Sequence, residues 1–364
     1  MTPPNRRNKI TGGCTFAGTH SAAKRMLGKM ARCLSAILLI GMWAAAQTPS
    51  TPPPLPPQGR LVDVGGWKLH LNCTGEVHSA QPTVILESGA GDFSVEWSLV
   101  QPKVAALNRI CSYDRAGDGW SELGPHPRTF HQVAYELHTL LANAGIKPPI
   151  VLVGQSYGGW LVRQYQAMYP SEVSGMVLVE PGMDNPWRIA PDGNLVRATD
   201  LTTGRSVPEM KKSGPLRVSD PGPNLLKQMM AGTDELSKHA NDPPRDLLPP
   251  DAQRMRTWAL AQLGHVTAGV NPFDIEEIIA LHKERLKSDH VLGDLPLIVL
   301  TRGLPEETGP NAKSLEEGHR RDHEAQASMS RKGKLIVAEH SGHHIHLQEP
   351  ELVVASIREV LFAK

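Results

Sequence analysis

From about residue 60 onward, short apolar runs alternate with amphipathic stretches. Arg60-Leu61-Val62-Asp63-Val64, then Gly65-Gly66, then residues 67–73 alternate and turn as a hairpin does. Pro82-Thr83-Val84-Ile85-Leu86-Glu87 predicts a buried strand; a helical stretch over 97–108 and a short strand over 109–113 follow. Val133, Leu137, Leu140 and Leu141 share one face of a helix predicted over 129–144, which Gly145 stops. Further strands are expected at 149–153, 175–180, 296–300 and 334–338, with a closing helix over 350–361. Strands alternating with helices imply an α/β fold, a mostly parallel, doubly wound sheet. Between Asn185 and about Asp289 the rhythm fails. Proline, charge and the helix-forming stretches 251–263 and 274–286 predict a helical cap inserted over the strand ends, about 185–290.

Composition sharpens the boundaries. The chain has 364 residues, 40% of them apolar, enough for one large α/β domain over 60–364. Residues 1–47 carry Arg6, Arg7, Lys9, Lys24, Arg25, Lys29 and Arg32 and no acid, leaving 31 of the 38 basic residues against all 37 acidic ones in the remainder. That mildly acidic body argues against a nucleic-acid partner. The basic head, the apolar run 33–43 and Ala44-Ala45-Ala46-Gln47 together read as a signal peptide, and so as export. The apolar run is short for a transmembrane helix, so no stable membrane insertion is expected after cleavage; an uncleaved anchor is the alternative. Met26 and Met30 are alternative starts. Residues 48–59 form a proline-rich linker. Cys73 and Cys111 are the cysteines of the body, and export predicts a disulfide between them.

The chemistry centres on Gly154-Gln155-Ser156-Tyr157-Gly158, set between an apolar strand and a helix-like stretch. A strand that turns sharply into a helix exposes its middle residue, and glycines two residues to either side avoid clashes with the neighbouring strand and helix. A serine in that place reads as a nucleophile, which needs a general base. His343 lies in Ser341-Gly342-His343-His344-Ile345-His346, between the last strand and the last helix, at the sheet edge where ligands bind in such folds. His340, His344 and His346 read as surface residues, and a metal cluster in this run is disfavoured because no carboxylate partners are indicated. No metal or other cofactor is expected.

These motifs resemble the α/β-hydrolase superfamily over nearly all of 60–364. Leu86-Glu87-Ser88-Gly89-Ala90-Gly91 is similar to its oxyanion loop, with Ser88 where many members have histidine. Ser112-Tyr113-Asp114-Arg115-Ala116-Gly117-Asp118-Gly119-Trp120-Ser121 is similar to its YDxxGxGxS loop, and Ser341-Gly342-His343 to its histidine loop. The resemblance implies a Ser156–acid–His343 triad and an oxyanion hole from the backbone N–H groups of Tyr157 and Ala90. Most members place the acid after the strand at 296–300, where Glu306 stands; some place it one strand earlier, which matches Glu180. Glu180 is preferred here, with Asp184 and Glu306 as alternatives. A serine rather than an aspartate at the elbow favours acyl transfer over dehalogenation. The expected activity is hydrolysis of a small-molecule carboxylic ester through an acyl-enzyme. Amide or peptide cleavage, cofactor-free haloperoxidase chemistry and C–C hydrolysis use the same triad, and a non-catalytic binding protein retaining the fold is the alternative of another class. Trp97, Trp187, Trp258 and Met229-Met230 are candidate pocket walls.

Overall fold

The computed structural model describes residues 53–78, 81–190, 193–201, 204–212, 233, 235–269, 271–309 and 311–363. The expected signal segment, residues 48–52 of the proline-rich linker and Met229-Met230 lie outside them.

Among the described residues ten strands are formed: β1 (Arg60–Asp63), β2 (Lys68–Thr74), β3 (Thr83–Glu87), β4 (Ile110–Tyr113), β5 (Ile150–Gln155), β6 (Val173–Val179), β7 (Trp187–Ile189), β8 (Leu195–Arg197), β9 (Leu297–Arg302) and β10 (Gly333–Ala338). The helices are α1 (Gln101–Ala105), α2 (Phe130–Ala144), α3 (Tyr157–Met168), α4 (Pro250–Leu260), α5 (Leu263–Ala268), α6 (Asp274–Arg285), α7 (Ala312–Ala327), α8 (Ile345–Gln348) and α9 (Pro350–Leu361). Eight strands make one sheet in the order β1-β2-β4-β3-β5-β6-β9-β10. β1, β2 and β4 pair antiparallel and the remaining pairs are parallel. Successive residues feed opposite cores. Ile85, Leu152, Leu178 and Val299 pack with Leu137, Leu141 and Val162 from α2 and α3. Their neighbours Val84, Val151, Val177 and Ile298 pack with Val104 of α1 and Val353, Ile357 and Val360 of α9. Both faces are covered, which is why the strands read as unbroken apolar runs.

Helix ends follow local chemistry. Thr129 caps α2 by accepting Gln132 N–H at 3.1 Å, and Gly145 ends it at φ 75°. The helix expected over 97–108 is only a 3₁₀ turn, Ser94–Trp97, and then α1, which starts where Pro102 can sit without an amide hydrogen. The insertion is not purely helical, because Trp187–Ile189 and Leu195–Arg197 pair antiparallel as a small hairpin. Its expected first helix divides into α4 and α5. α7 was not visible in the periodicity at all. Its buried face consists of Gly318, His319, His323, Gln326 and Ala327, so no apolar stripe marks it.

Cys73 and Cys111 stand opposite each other in the β2–β4 ladder and form a disulfide. It closes a loop with a sequence separation of 38, for which chain-entropy reasoning gives roughly 4 kcal/mol. The paired Cys73→Ser, Cys111→Ser variant is therefore expected to lose about 2–5 kcal/mol in denaturant unfolding. A variant as stable as the parent sinks that estimate.

Candidate active site

Ser156 is the cap of α3, at φ 53° and ψ −117°. Among the described residues only one other non-glycine residue has positive φ, Glu180 at 46°. Backbone of this kind costs roughly 1–3 kcal/mol per residue and persists where surrounding structure fixes it. For Ser156 the fixing bonds are Ser156 N–H to Val179 O (3.1 Å) and Gly182 N–H to Ser156 O (3.0 Å). Glycine is obligatory on either side: a Cβ on Gly154 would lie 2.5 Å from Gly158 O, and one on Gly158 would lie 2.6 Å from Glu87 O.

His343, on the loop between β10 and α8, has Nε2 2.9 Å from Ser156 Oγ. With Nε2 accepting the hydroxyl proton, the ring hydrogen sits on Nδ1, which faces Glu180 Oε1 across 3.9 Å. That is an ion-pair separation rather than a hydrogen bond. Glu180 is buried at the end of β6. Burial pushes its carboxyl pKa up, but the hydrogen bond from His319 and the proximity of His343 and His323 outweigh it. They hold the group well below the usual carboxylate range.

The alternative acids are placed differently. Glu306 is beside the histidine loop, but its Oε1 accepts His343 backbone N–H at 2.7 Å. Asp184 is buried in a salt bridge to Arg163 and receives Arg285 of the insertion at 2.5 Å. It ties the insertion to α3.

Ser88, Gly89, Ala90 and Gly91 follow β3, with Ala90 exposed and Gly91 at φ 70°. Arg115 grips this loop: Nη1 donates to Ser88 O (2.7 Å) and Nη2 to Gly89 O (2.6 Å) and Asp92 O (3.1 Å). Ser88 Oγ accepts Trp97 Nε1–H at 2.9 Å, so Trp97 is a core residue and not a pocket wall. Trp258 packs in a cluster with Phe93 and Met255, and Trp187 stacks under Arg197. The loop carrying Asp114 and Arg115 is itself fixed by Asp114, which accepts Ser94 N–H (2.9 Å) and Trp120 N–H (3.0 Å). Gly119 permits this, since a Cβ there would meet Asp114 Oδ2 at 2.3 Å.

Of the remaining histidines in this run His340 is exposed, as expected, but His344 and His346 are not surface residues. His346 is buried 3.7 Å from Glu96, and His344 is half-buried. Burial, together with Arg245 nearby, holds the His344 imidazole well below its usual pKa. Asp92 and Glu96 also receive Arg256 of α4, so the insertion closes over this loop by buried ion pairs. Sequence reasoning missed Arg302, His319 and His323, which surround Glu180. The spacing of His319, His323 and Ala327 along α7 is the signal that could have marked them. Among the described residues, Glu180, His319 and His323 are the one group close enough to hold a metal ion. They fit one poorly: Arg302 Nη1 is 2.7 Å from Glu180 Oε1, and both His323 nitrogens are engaged, by Thr301 Oγ1 (2.9 Å) and Pro181 O (2.8 Å).

The profile of the alpha/beta hydrolase family matches residues 84–356. The chain belongs to the alpha/beta hydrolase family and is a hydrolase. It is 26% identical over 298 residues to an AB hydrolase superfamily protein of Gibberella zeae, covering 77% of this chain and 86% of the relative. It is 28% identical over 163 residues to the human (lyso)-N-acylphosphatidylethanolamine lipase, covering 42% of this chain and 46% of that protein. A carboxylesterase from Bacillus subtilis superposes with a TM-score of 0.55 at 15% identity, over 94% of this chain and 99% of that one. A thermophilic esterase from Thermogutta terrifontis gives 0.54 at 16% identity, over 83% and 97%. These likenesses establish the fold. Among the described residues, no helix is long and apolar enough to cross a membrane.

Proposed function

We propose that the chain is an exported serine hydrolase that cleaves carboxylic esters through an acyl-enzyme on Ser156. The observation that carries this is the 2.9 Å contact between Ser156 Oγ, held on a strained elbow, and His343 Nε2. In this reading His343 takes the hydroxyl proton as Oγ attacks the ester carbonyl carbon. It returns that proton to the alkoxide leaving group, then activates the water that releases the acid. Glu180 keeps the imidazolium electrostatically favourable, and the N–H groups of Tyr157 and Ala90 receive the developing oxyanion. The insertion at 185–290 acts as the cap that bounds the substrate. Export is supported by the Cys73–Cys111 disulfide, a bond typical of oxidising compartments.

The test is a panel of p-nitrophenyl esters of increasing acyl length, beside matched anilides, incubated with the purified protein from residue 48. Ester turnover well above anilide turnover is the expected result. Anilide cleavage without ester cleavage would replace the ester reading with an amidase.

A further inference from the structure

Glu180 carries more donors than an orienting acid needs. Its Oε1 accepts Arg302 Nη1–H at 2.7 Å and lies 2.8 Å from His319 Nε2, while Oε2 accepts the backbone N–H of Arg302 at 2.7 Å. The second arm of the same guanidinium, Nη2, donates to Glu316 Oε2 on α7 at 3.0 Å. Glu316 turns its other oxygen onto the backbone N–H groups of Glu306 and Glu307, both at 2.7 Å. Glu306 in turn accepts the backbone N–H of His343 at 2.7 Å. A side chain at Gly342 would collide with that carboxylate, at 2.3 Å from Glu306 Oε1. The acid and the base that flank Ser156 are thus joined behind the site by one unbroken chain of charge-assisted contacts.

We infer that Arg302 is a positioning residue: one arm of its guanidinium fixes the Glu180 carboxylate, and the other, through Glu316 and Glu306, fixes the loop that carries His343. The inference rests on the triad reading above. A glutamate has one more rotor than an aspartate, so a glutamate acid needs more restraint to stay aimed at its histidine. Arginine supplies it because its planar fork holds two carboxylates at fixed geometry, which a single ammonium cannot do. Arg302 is buried beneath the site, so its loss acts on the chemical step rather than on substrate binding.

Two variants test this, Arg302→Lys and Glu316→Gln, each followed by ester kinetics and by amide hydrogen exchange at His343. Glu316 is partly exposed, with a side-chain accessibility of 21%, so its variant folds even where the first does not. Expected are a fall in kcat of about 10–100-fold for Arg302→Lys and about 3–10-fold for Glu316→Gln, with KM within twofold. The double variant should resemble Arg302→Lys alone, because the two residues act in series. Exchange of the His343 amide should quicken at least tenfold in both, and this readout requires no substrate. Unchanged exchange in Glu316→Gln, or kcat losses that multiply independently, overturns the positioning role. No turnover by the parent protein alongside faster exchange in the variants upholds the network and rejects the ester reading.

Discussion

Ser156→Ala is expected to reduce ester turnover by on the order of 10⁵–10⁶ and to abolish labelling by a fluorophosphonate probe. The size of the effect follows from the geometry. The alanine keeps the Cβ, and the backbone bonds to Val179 O and from Gly182 N–H still hold the elbow, so the site around it does not rearrange. Only Oγ is lost, the oxygen that lies 2.9 Å from His343 Nε2 and would form the acyl bond. Residual catalysis comes from the oxyanion donors and substrate binding, which retain roughly 10³–10⁴ over water in enzymes of this type. Thermal unfolding should be nearly unchanged. Persistent labelling of the folded Ser156→Ala protein would move the nucleophile elsewhere and dismantle the mechanism.

Much of the frame that places Ser156 was legible before any coordinate. The strand at 149–153 and the amphipathic helix ending at Gly145 rest on signals local to the chain: apolar runs, a 3.6-residue period and a glycine that accepts positive φ. The Gly154–Gly158 pattern is legible for the same reason, since each glycine answers to a clash within a few residues or with an adjacent strand. What stayed hidden depends on partners distant in sequence. α7 buries histidine and glutamine because Glu180 and Thr301 of β9 receive the histidines and Gly182 O accepts from Gln326, and a polar buried face has no apolar stripe to detect. His344 and His346 looked like surface residues because the acids and arginines that surround them, Asp92, Glu96, Arg245 and Arg256, lie some 90–250 positions upstream. The β7–β8 hairpin is three residues per strand, below what alternation can mark.

Glu180→Gln is the second large effect expected, a fall in kcat of about 10³–10⁴ with little change in KM. Glutamine keeps the shape and an acceptor for Arg302 but removes the charge that faces His343 Nδ1, so the imidazolium formed in the transition state loses its counter-ion. Glu306→Gln should cost far less, because Glu306 meets the backbone of His343 and not its ring. Asp184→Asn should weaken the join between α3 and the insertion rather than the chemistry. Glu180 also leaves a signature in stability against pH. Its carboxyl pKa in the folded protein lies well below the unfolded value of about 4.3, so the folded state binds fewer protons there. That contribution is complete above the unfolded value and is lost as pH falls from about 4 through the depressed one. Unfolding measured between pH 7 and pH 2 should therefore show a steeper acid loss for the parent than for Glu180→Gln. The variant should already be weaker at pH 7, since Arg302 then lacks its buried counter-charge. If Glu306→Gln instead silences the chemistry while Glu180→Gln does not, the acid belongs after β9, and the strained backbone at Glu180 serves only to anchor Arg302.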